Sequence, residues 1–302
     1  MREQKQNMMA YMRKTYGAEY DYLRLQSNET NANACFLARE RKSGDEVFIK
    51  TFDYHENGSR VLLMRNEVRW LTALADTPFV CRLRAHHVDV ECRVGIVVQD
   101  AFGAQDDIIN IVNVAASRTG EQHASYVKTF FAALLNVLGE LERRGIVHGD
   151  IKLDNVLYSA ERRECCLADW EFAVEAGTMN VLRGTLPYVD YAQLLALDAS
   201  VTQRVQYRTS SDVWAAALSV YRMLFVEVPF ADVSIDGCSV REFRHALHRW
   251  PIDRGAFVFP PYCSDPFLSA PARSCIAAIR ACLTPTYESR PRVADVLAIL
   301  NQ

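Results

Sequence analysis

The sequence lacks the features that mark several large classes of protein. Its 302 residues carry a net charge of only -3, which offers no basic surface of the kind that binds nucleic acid or anionic membrane. Its nine cysteines are scattered and include no C-x-x-C pair, which argues against a zinc cluster and favours a reducing compartment. No apolar run reaches the roughly 18 residues of a membrane helix, and the start has no signal-peptide run. We therefore expect an intracellular protein, cytoplasmic or nuclear, with neither nucleic acid nor membrane as a partner.

The two halves of the chain differ in their apolar patterns. Residues 34–40 and 46–52 flank the turn RKSGD as two hairpin strands would, and residues 59–75 follow with helical spacing. The second half is mainly helical, and its clearest segment, residues 121–145, ends in basic residues and a glycine, a common helix stop. Further helices are predicted at residues 210–225, 239–250, 271–283 and 292–301. These patterns predict an α+β fold with a small strand-rich N-terminal lobe, a larger helical C-terminal lobe and a ligand cleft between them.

One short stretch concentrates residues that bear chemistry. Residues 148–155 read HGDIKLDN, and Asp169 follows 14 positions after Asn155, in ADWE. One carboxylate can accept the proton of an attacking hydroxyl, while an amide and a second carboxylate are oxygen ligands suited to magnesium. A lysine between them can neutralise an oxyanion. The set is typical of phosphoryl transfer.

In order and spacing, these residues resemble the catalytic loop and metal motif of the eukaryotic-type protein kinases. The loop follows the family pattern H-R-D-x-K-x-x-N, and the resemblance implies that Asp150 is the base or orienter for the substrate hydroxyl. It also implies that Lys152 contacts the transferred phosphate and that Asn155 and Asp169 are metal ligands. ATP and Mg²⁺ are the cofactors that the resemblance implies.

The N-terminal half supplies a matching nucleotide site. VFIK resembles the V-A-I-K strand of the family, which makes Lys50 the phosphate-binding lysine and Glu67, seventeen residues on, its ion-pair partner. Val98 is placed at the gatekeeper position. The other nucleotide-binding residues that the resemblance implies are Asn28, Cys35, Phe48, Gln99 and Ala101.

Three later motifs follow in protein-kinase order. RGTLPYVDYA resembles the end of an activation segment, with Thr185 in the part that faces the residue after the phosphoacceptor. SSDVW resembles the helix whose aspartate, here Asp212, braces the catalytic loop, and ESRPR resembles the stretch that opens the last helix.

The resemblance implies a kinase domain at residues 22–302, with lobes at 22–100 and 101–302, after an N-terminal extension at 1–21. Lys152 is more typical of the Ser/Thr class than of the Tyr class. We therefore expect transfer of the ATP γ-phosphate to Ser or Thr of a protein substrate. The oligomeric state is not indicated.

Several positions depart from the family pattern at the nucleotide site. Residues 27–35 contain no glycine where a glycine-rich loop belongs, and Phe48 replaces the usual small alanine, where it can fill the nucleotide pocket. D-F-G reads Asp169-Trp170-Glu171, and we expect the carboxylate of Glu171 to point outward.

Two further departures lie in the activation segment and catalytic loop. The A-P-E position reads Asp190-Tyr191-Ala192 and lacks its glutamate, so a buried Arg290 requires a substitute carboxylate nearby. Gly149 replaces the arginine that commonly docks a phosphate on the activation segment. We therefore predict a constitutive geometry that does not depend on activation-segment phosphorylation.

Two other functions compete with a protein kinase. HGD…N with DWE also resembles the aminoglycoside and choline phosphotransferases, although Lys152 and the later motifs follow the protein-kinase order. A pseudokinase, a binding module without catalysis, is favoured by Phe48 and the glycine-free loop. It is opposed by the survival of the charged and metal-binding residues of the site, which are Lys50, Glu67, Asp150, Lys152, Asn155 and Asp169.

Overall fold

The computed structural model describes residues 2–25, 34–55, 58–102, 120–199, 204–225, 252–253, 256–257, 259 and 261–302. They fall in two compact units. The first comprises Met1–Ala104 with Ala168–Glu171, and the second comprises Gln105–Leu167 with Phe172–Gln302. Asn28, with nearly all of the glycine-free loop, and the helix predicted at 239–250 lie outside the described residues.

The first unit is built on a five-stranded antiparallel sheet with the strand order β1-β2-β3-β5-β4. Its strands are β1 (Tyr20–Leu25), β2 (Cys35–Glu40), β3 (Glu46–Asp53), β4 (Leu83–Asp89) and β5 (Val94–Asp100). Two helices belong to the same unit, α1 (Arg2–Tyr16) and α2 (Arg60–Ala73).

Helix α1 and helix α2 cover opposite faces of this sheet. Side chains alternate between the faces along each strand, so directly paired residues share a face. Met8 and Met12 of α1 are buried against Ile49 and Val98, which pair with each other across β3 and β5. On the other face Met64 of α2 packs so closely on β5 that a Cβ at Gly95 would lie 2.3 Å from its Sδ. A larger residue at this position would require the Met64 side chain to move.

The second unit is mainly helical. Its helices are α3 (Gly120–Arg144), α4 (Tyr191–Ala199), α5 (Thr209–Phe225), α6 (Ala270–Cys282) and α7 (Val293–Leu300). Helix α3 packs against α5, α6 and α7, with buried apolar residues recurring at helical spacing along one face. Short antiparallel pairs complete the unit: β6 (Ile146–Val147) with β9 (Val174–Glu175), β7 (Val156–Ser159) with β8 (Glu164–Leu167), β10 (Met179–Val181) with β11 (Arg204–Gln206), and β12 (Ile252–Asp253) with β13 (Ala256–Phe257).

The α+β class predicted from the sequence is confirmed. The strands expected at 34–40 and 46–52 form β2 and β3, and the helices α2, α3, α5, α6 and α7 begin and end within two residues of their predicted bounds. Helix α4 was not predicted. Helix α1 lies in the segment expected to be an extension, and its methionines are part of the core of the first unit. Among the described residues, no helix is long and apolar enough to cross a membrane.

Candidate active site

In the first unit, Lys50 lies at the centre of three carboxylates. Its Nζ donates to Glu67 Oε2 at 2.7 Å, to Asp169 Oδ1 at 2.5 Å and to Glu171 Oε2 at 3.0 Å. Strand β3 presents the lysine and helix α2 presents Glu67, whose side chain is almost fully buried. The predicted Lys50–Glu67 pair is therefore present. Glu171 points inward to the lysine, so the outward orientation expected from the sequence is wrong.

The electrostatics of this cluster follow from burial and from the excess of negative charge. Burial alone would lower the pKa of Lys50, but the carboxylates of Asp169, Glu67 and Glu171 outweigh it and raise that pKa well above its usual value. Burial also raises the pKa values of Glu67 and Glu171, with the lysine ammonium opposing the shift. The lysine is therefore protonated, and the three carboxylates around it lie close enough to repel one another.

The backbone of the DWE stretch is held in an uncommon conformation. Asp169 has φ of 68°, the left-handed region that aspartate tolerates better than most residues. Trp170 is fully buried, and Asn66 of α2 donates from Nδ2 to the carbonyl oxygen of Glu171 at 3.0 Å. This anchoring holds the backbone from which the two acidic side chains extend. Strained conformations of this kind are concentrated at functional sites.

The remaining nucleotide residues predicted from the sequence divide between the two faces of the sheet. Cys35 pairs with Lys50, and Phe48 pairs with Gln99, so Cys35, Phe48 and Gln99 lie on the lysine's face. Phe48 is half-buried there. Val98 lies on the opposite face beneath α1. Its assignment as gatekeeper is therefore wrong, because strand pairing places Gln99 opposite Phe48.

Ala101, also predicted to bind nucleotide, follows β5 directly. Its backbone N–H donates to the carbonyl oxygen of Glu46 at 3.2 Å, which extends the ladder between β3 and β5 by one residue. The side chain is half-buried.

In the second unit, Asp150 is the hub of a hydrogen-bond network. Its Oδ1 accepts from the backbone N–H and the Oγ1 of Thr185, both at 2.8 Å. Its Oδ2 accepts from Asn155 Nδ2 at 3.0 Å and lies 2.9 Å from Lys152 Nζ. Lys152 also donates to Thr185 Oγ1 at 2.8 Å. The predicted catalytic pair and the predicted Thr185 region therefore meet within one unit.

Asp212 holds the backbone of the catalytic loop, as predicted. Its two carboxylate oxygens accept from the N–H groups of His148 at 2.6 Å and Gly149 at 3.0 Å. Burial raises the pKa of Asp212 to about 7, although the two N–H donors oppose the shift. Gly149 has φ of 80°, and a Cβ there would lie 3.1 Å from the carbonyl oxygen of Phe172. The loop therefore needs glycine at this position.

Within the second unit, the part of the activation segment from residue 172 to residue 192 is held by backbone and side-chain contacts. Strand β9 pairs with β6 beside the catalytic loop, and β10 pairs with β11. The Tyr207 hydroxyl accepts from the N–H of Arg183 at 2.9 Å and donates to the carbonyl oxygen of Val181 at 3.0 Å. The Tyr207 ring lies 3.4 Å from where a Cβ on Gly149 would stand. Tyr207 therefore links the catalytic loop to the activation segment.

Arg290 has the substitute carboxylate that the sequence predicted. Asp190 Oδ2 accepts from Arg290 Nη1 at 2.7 Å, and Asp190 Oδ1 accepts from Nη2 at 3.0 Å. Neither side chain is exposed. The carboxylate comes from two residues before the position where the family places its glutamate.

The residues predicted to bind magnesium have the right chemistry for it. Asn155 commits its Nδ2 to the carbonyl oxygen and carboxylate of Asp150, which leaves Oδ1 as the atom of that amide able to bind a cation. Asp169 offers a carboxylate, and one oxygen each from Glu67, Asp169 and Glu171 lies within 4.8 Å of the others. Amide and carboxylate oxygens are the protein ligands that Mg²⁺ prefers.

Comparison of the sequence with known proteins identifies the family of this chain. Residues 31–299 match the protein kinase domain family, so the chain belongs to it as a divergent member of the eukaryotic type. The chain is 26% identical over 202 residues to the serine/threonine-protein kinase PEPKR2 of Arabidopsis thaliana, which covers 66% of this chain and 38% of that protein. It is 29% identical over 146 residues to the serine/threonine-protein kinase ppk25 of Schizosaccharomyces pombe, covering 48% of this chain and 31% of that protein. The matches thus span well under half of each relative's length.

A solved structure has the same fold. The kinase PK-1 of Cydia pomonella granulovirus superposes with a TM-score of 0.66, covering 97% of this chain and 99% of that chain, at 17% identity. The protein-kinase-like fold predicted from the sequence, with a β-sheet N-terminal lobe and a helical C-terminal region, is confirmed.

Two features of the site do not follow from the sequence motifs. Nothing in the letters DWE indicates that the carboxylate of Glu171 reaches Lys50. Tyr207 belongs to no motif, although its position five residues before Asp212 is a usable signal.

Proposed function

We propose that this chain is a protein kinase that uses ATP and Mg²⁺ to phosphorylate Ser or Thr of a protein substrate. The observation that carries the proposal is the network of Asp150, Lys152, Asn155 and Thr185, in which one carboxylate receives four donors. We also propose that residues 22–302 form the kinase domain, with lobes at 22–100 and 101–302, and that the protein works in the cytoplasm or nucleus.

In this proposal each residue has a separate role. Lys50, held by Glu67, binds the nucleotide phosphates, and Asn155 and Asp169 are the metal ligands. Magnesium, when bound, offsets charge on the phosphates. Asp150 orients the acceptor hydroxyl and takes its proton as the new O–P bond forms and the bond from the phosphoryl group to ADP breaks. Lys152 offsets charge on the transferred group. Positioning and electrostatics then supply most of the rate.

The contact between Lys152 and Thr185 favours a protein substrate over a small molecule. Thr185 lies in the segment that the family uses beside the phosphoacceptor, and its hydroxyl bridges Lys152 and Asp150. The same segment is attached through β9, β10 and Tyr207, which supports activity without phosphorylation of the segment.

The pseudokinase remains the second candidate because half-buried Phe48 lies on the face of Lys50.

A phosphotransfer assay tests the proposal. The full chain is incubated with γ-labelled ATP and Mg²⁺, and with peptide libraries that carry Ser, Thr or Tyr as the only acceptor, in parallel with a panel of amines and alcohols. We expect label on Ser and Thr peptides. Label on amines or alcohols alone would indicate a small-molecule phosphotransferase, and no label on any acceptor would favour the pseudokinase.

A further inference from the structure

The ammonium of Lys50 has no N–H left for another acceptor in the observed arrangement. An ammonium carries three donors and no acceptor. Glu67, Asp169 and Glu171 each lie within 3.0 Å of Nζ, so each takes one of them. When all three carboxylates are ionised, the cluster also carries two more negative charges than positive ones. A phosphate oxygen that binds Lys50 must therefore replace one carboxylate.

We propose that Glu171 is a built-in competitor of the nucleotide: its carboxylate occupies the N–H of Lys50 that a phosphate oxygen requires, and it must turn away before the phosphates bind. This inference rests on the proposed function, because it takes Lys50 as the phosphate-binding residue. It assigns to the glutamate at this position of the D-F-G motif a role in setting nucleotide affinity.

The geometry selects Glu171 from among the three carboxylates. Its contact with Nζ, 3.0 Å, is the longest of the three, and its side chain is 12% exposed, against 1% for Glu67 and 22% for Asp169. Asp169 makes the shortest contact and is the proposed metal ligand. Glu171 is thus the partner that Lys50 holds least closely.

The backbone of Glu171 is held by contacts that do not involve its carboxylate. The carbonyl oxygen of Glu171 is held by Asn66 Nδ2 at 3.0 Å, and the preceding Trp170 is fully buried. Rotation about the side-chain bonds of Glu171 therefore requires no movement of the buried anchor. The carboxylate also repels an incoming phosphate, and this repulsion is strong where water is largely excluded.

Nucleotide affinity measured by titration calorimetry tests the inference without relying on catalysis. The ligands are a non-hydrolysable ATP analogue with Mg²⁺ and adenosine, which has no phosphate. The proteins are the wild-type chain, Glu171→Gln, Glu171→Gly and, as a matched control, Glu175→Gln, which removes an exposed carboxylate nearby in the sequence. Melting temperatures without ligand establish that each variant is folded.

We expect both Glu171 variants to bind the ATP analogue roughly tenfold more tightly than wild type, because one charge-assisted hydrogen bond no longer competes. The affinity of each protein for adenosine should equal that of wild type. The Glu175→Gln variant should bind the ATP analogue with the affinity of wild type. Equal affinity of wild type and the Glu171 variants for the ATP analogue would overturn the inference and leave the proposed function standing. Weaker binding by the variants would also overturn it, because Glu171 would then assist the phosphates or the metal. If no protein binds the analogue, both the inference and the proposed function fail.

Discussion

Asp190 and Arg290 lie 100 residues apart in the sequence and form a two-point ion pair in which neither side chain is exposed. Arg290 also donates to the carbonyl oxygens of Ser210 and Thr284. This pair joins the end of the activation segment to the start of α5 and to the turn before α7. A buried charge without its partner is costly, so the pair is a sensitive point of the fold.

Asp190→Ala should lower the free energy of unfolding by about 3–5 kcal/mol, because it leaves the guanidinium buried without its carboxylate. The double variant Asp190→Ala/Arg290→Met should recover much of that loss, since it removes both charges. Urea unfolding measures both effects. Glu164→Ala, which breaks an exposed pair with Arg162, serves as the control and should change little. An Asp190→Ala variant as stable as wild type would show that the pair does not support the fold.

Asp150→Ala should reduce kcat by roughly 10²–10⁴-fold, because it removes the group that orients and deprotonates the acceptor hydroxyl. Asp154→Ala, an exposed carboxylate of the same loop, is the matched control and should leave kcat near wild type. Phosphotransfer to a Ser or Thr peptide measures the effect, with a melting curve to verify folding. Retained activity in folded Asp150→Ala would refute the assigned role.

Tyr207→Phe should loosen the activation segment, because it removes the hydroxyl that bonds the backbone at Val181 and Arg183. Two lost hydrogen bonds should raise the peptide KM by roughly tenfold and leave ATP affinity unchanged. Hydrogen exchange at residues 179–185 should accelerate.

Thr178→Glu, which mimics a phosphate on the segment, should not stimulate the enzyme, because the contacts of Tyr207 already hold the segment. Strong stimulation by Thr178→Glu, or unchanged exchange and KM in Tyr207→Phe, would show that the segment is controlled in another way.

The stability of the fold should depend on pH through Asp212. Its pKa is raised from the usual 3.8 to about 7, so the folded state holds more protons than the unfolded chain between these values. The free energy of unfolding therefore falls as pH rises through that window, by at most about 1.4 kcal/mol per pH unit for this group.

Asp212→Asn lacks this titration and is the variant that isolates it. The stability difference, wild type minus variant, should shrink between about pH 4 and pH 7 and level off above. Urea unfolding of both proteins across that range provides the measurement. A difference that does not vary with pH would mean that Asp212 is ionised throughout.

Residues whose role is set by a motif were predictable from the sequence. The Lys50–Glu67 pair, the brace from Asp212 and the need of Arg290 for a carboxylate each follow from a local pattern in a fixed order. The structure provides these contacts at 2.6–3.0 Å.

The errors arose where orientation or tertiary packing decides. For Val98, alternation along a strand reverses the face with each residue, and pairing with Ile49 puts it beneath α1. The inward direction of Glu171 is set by its contact with Lys50, 121 residues earlier in the sequence, which no local pattern reveals. Helix α1 owes its place to burial of Met8 and Met12, which a motif search does not detect.

Nucleotide binding is measured by a thermal-shift titration of the wild-type protein with ATP, with and without Mg²⁺. A ligand that binds only the folded state raises the melting temperature as its occupancy rises. We predict a magnesium-dependent rise that is diminished in Asp169→Asn, which removes a proposed metal ligand. No rise at millimolar ATP, with or without Mg²⁺, would contradict the account and make the chain a binding module with a kinase fold.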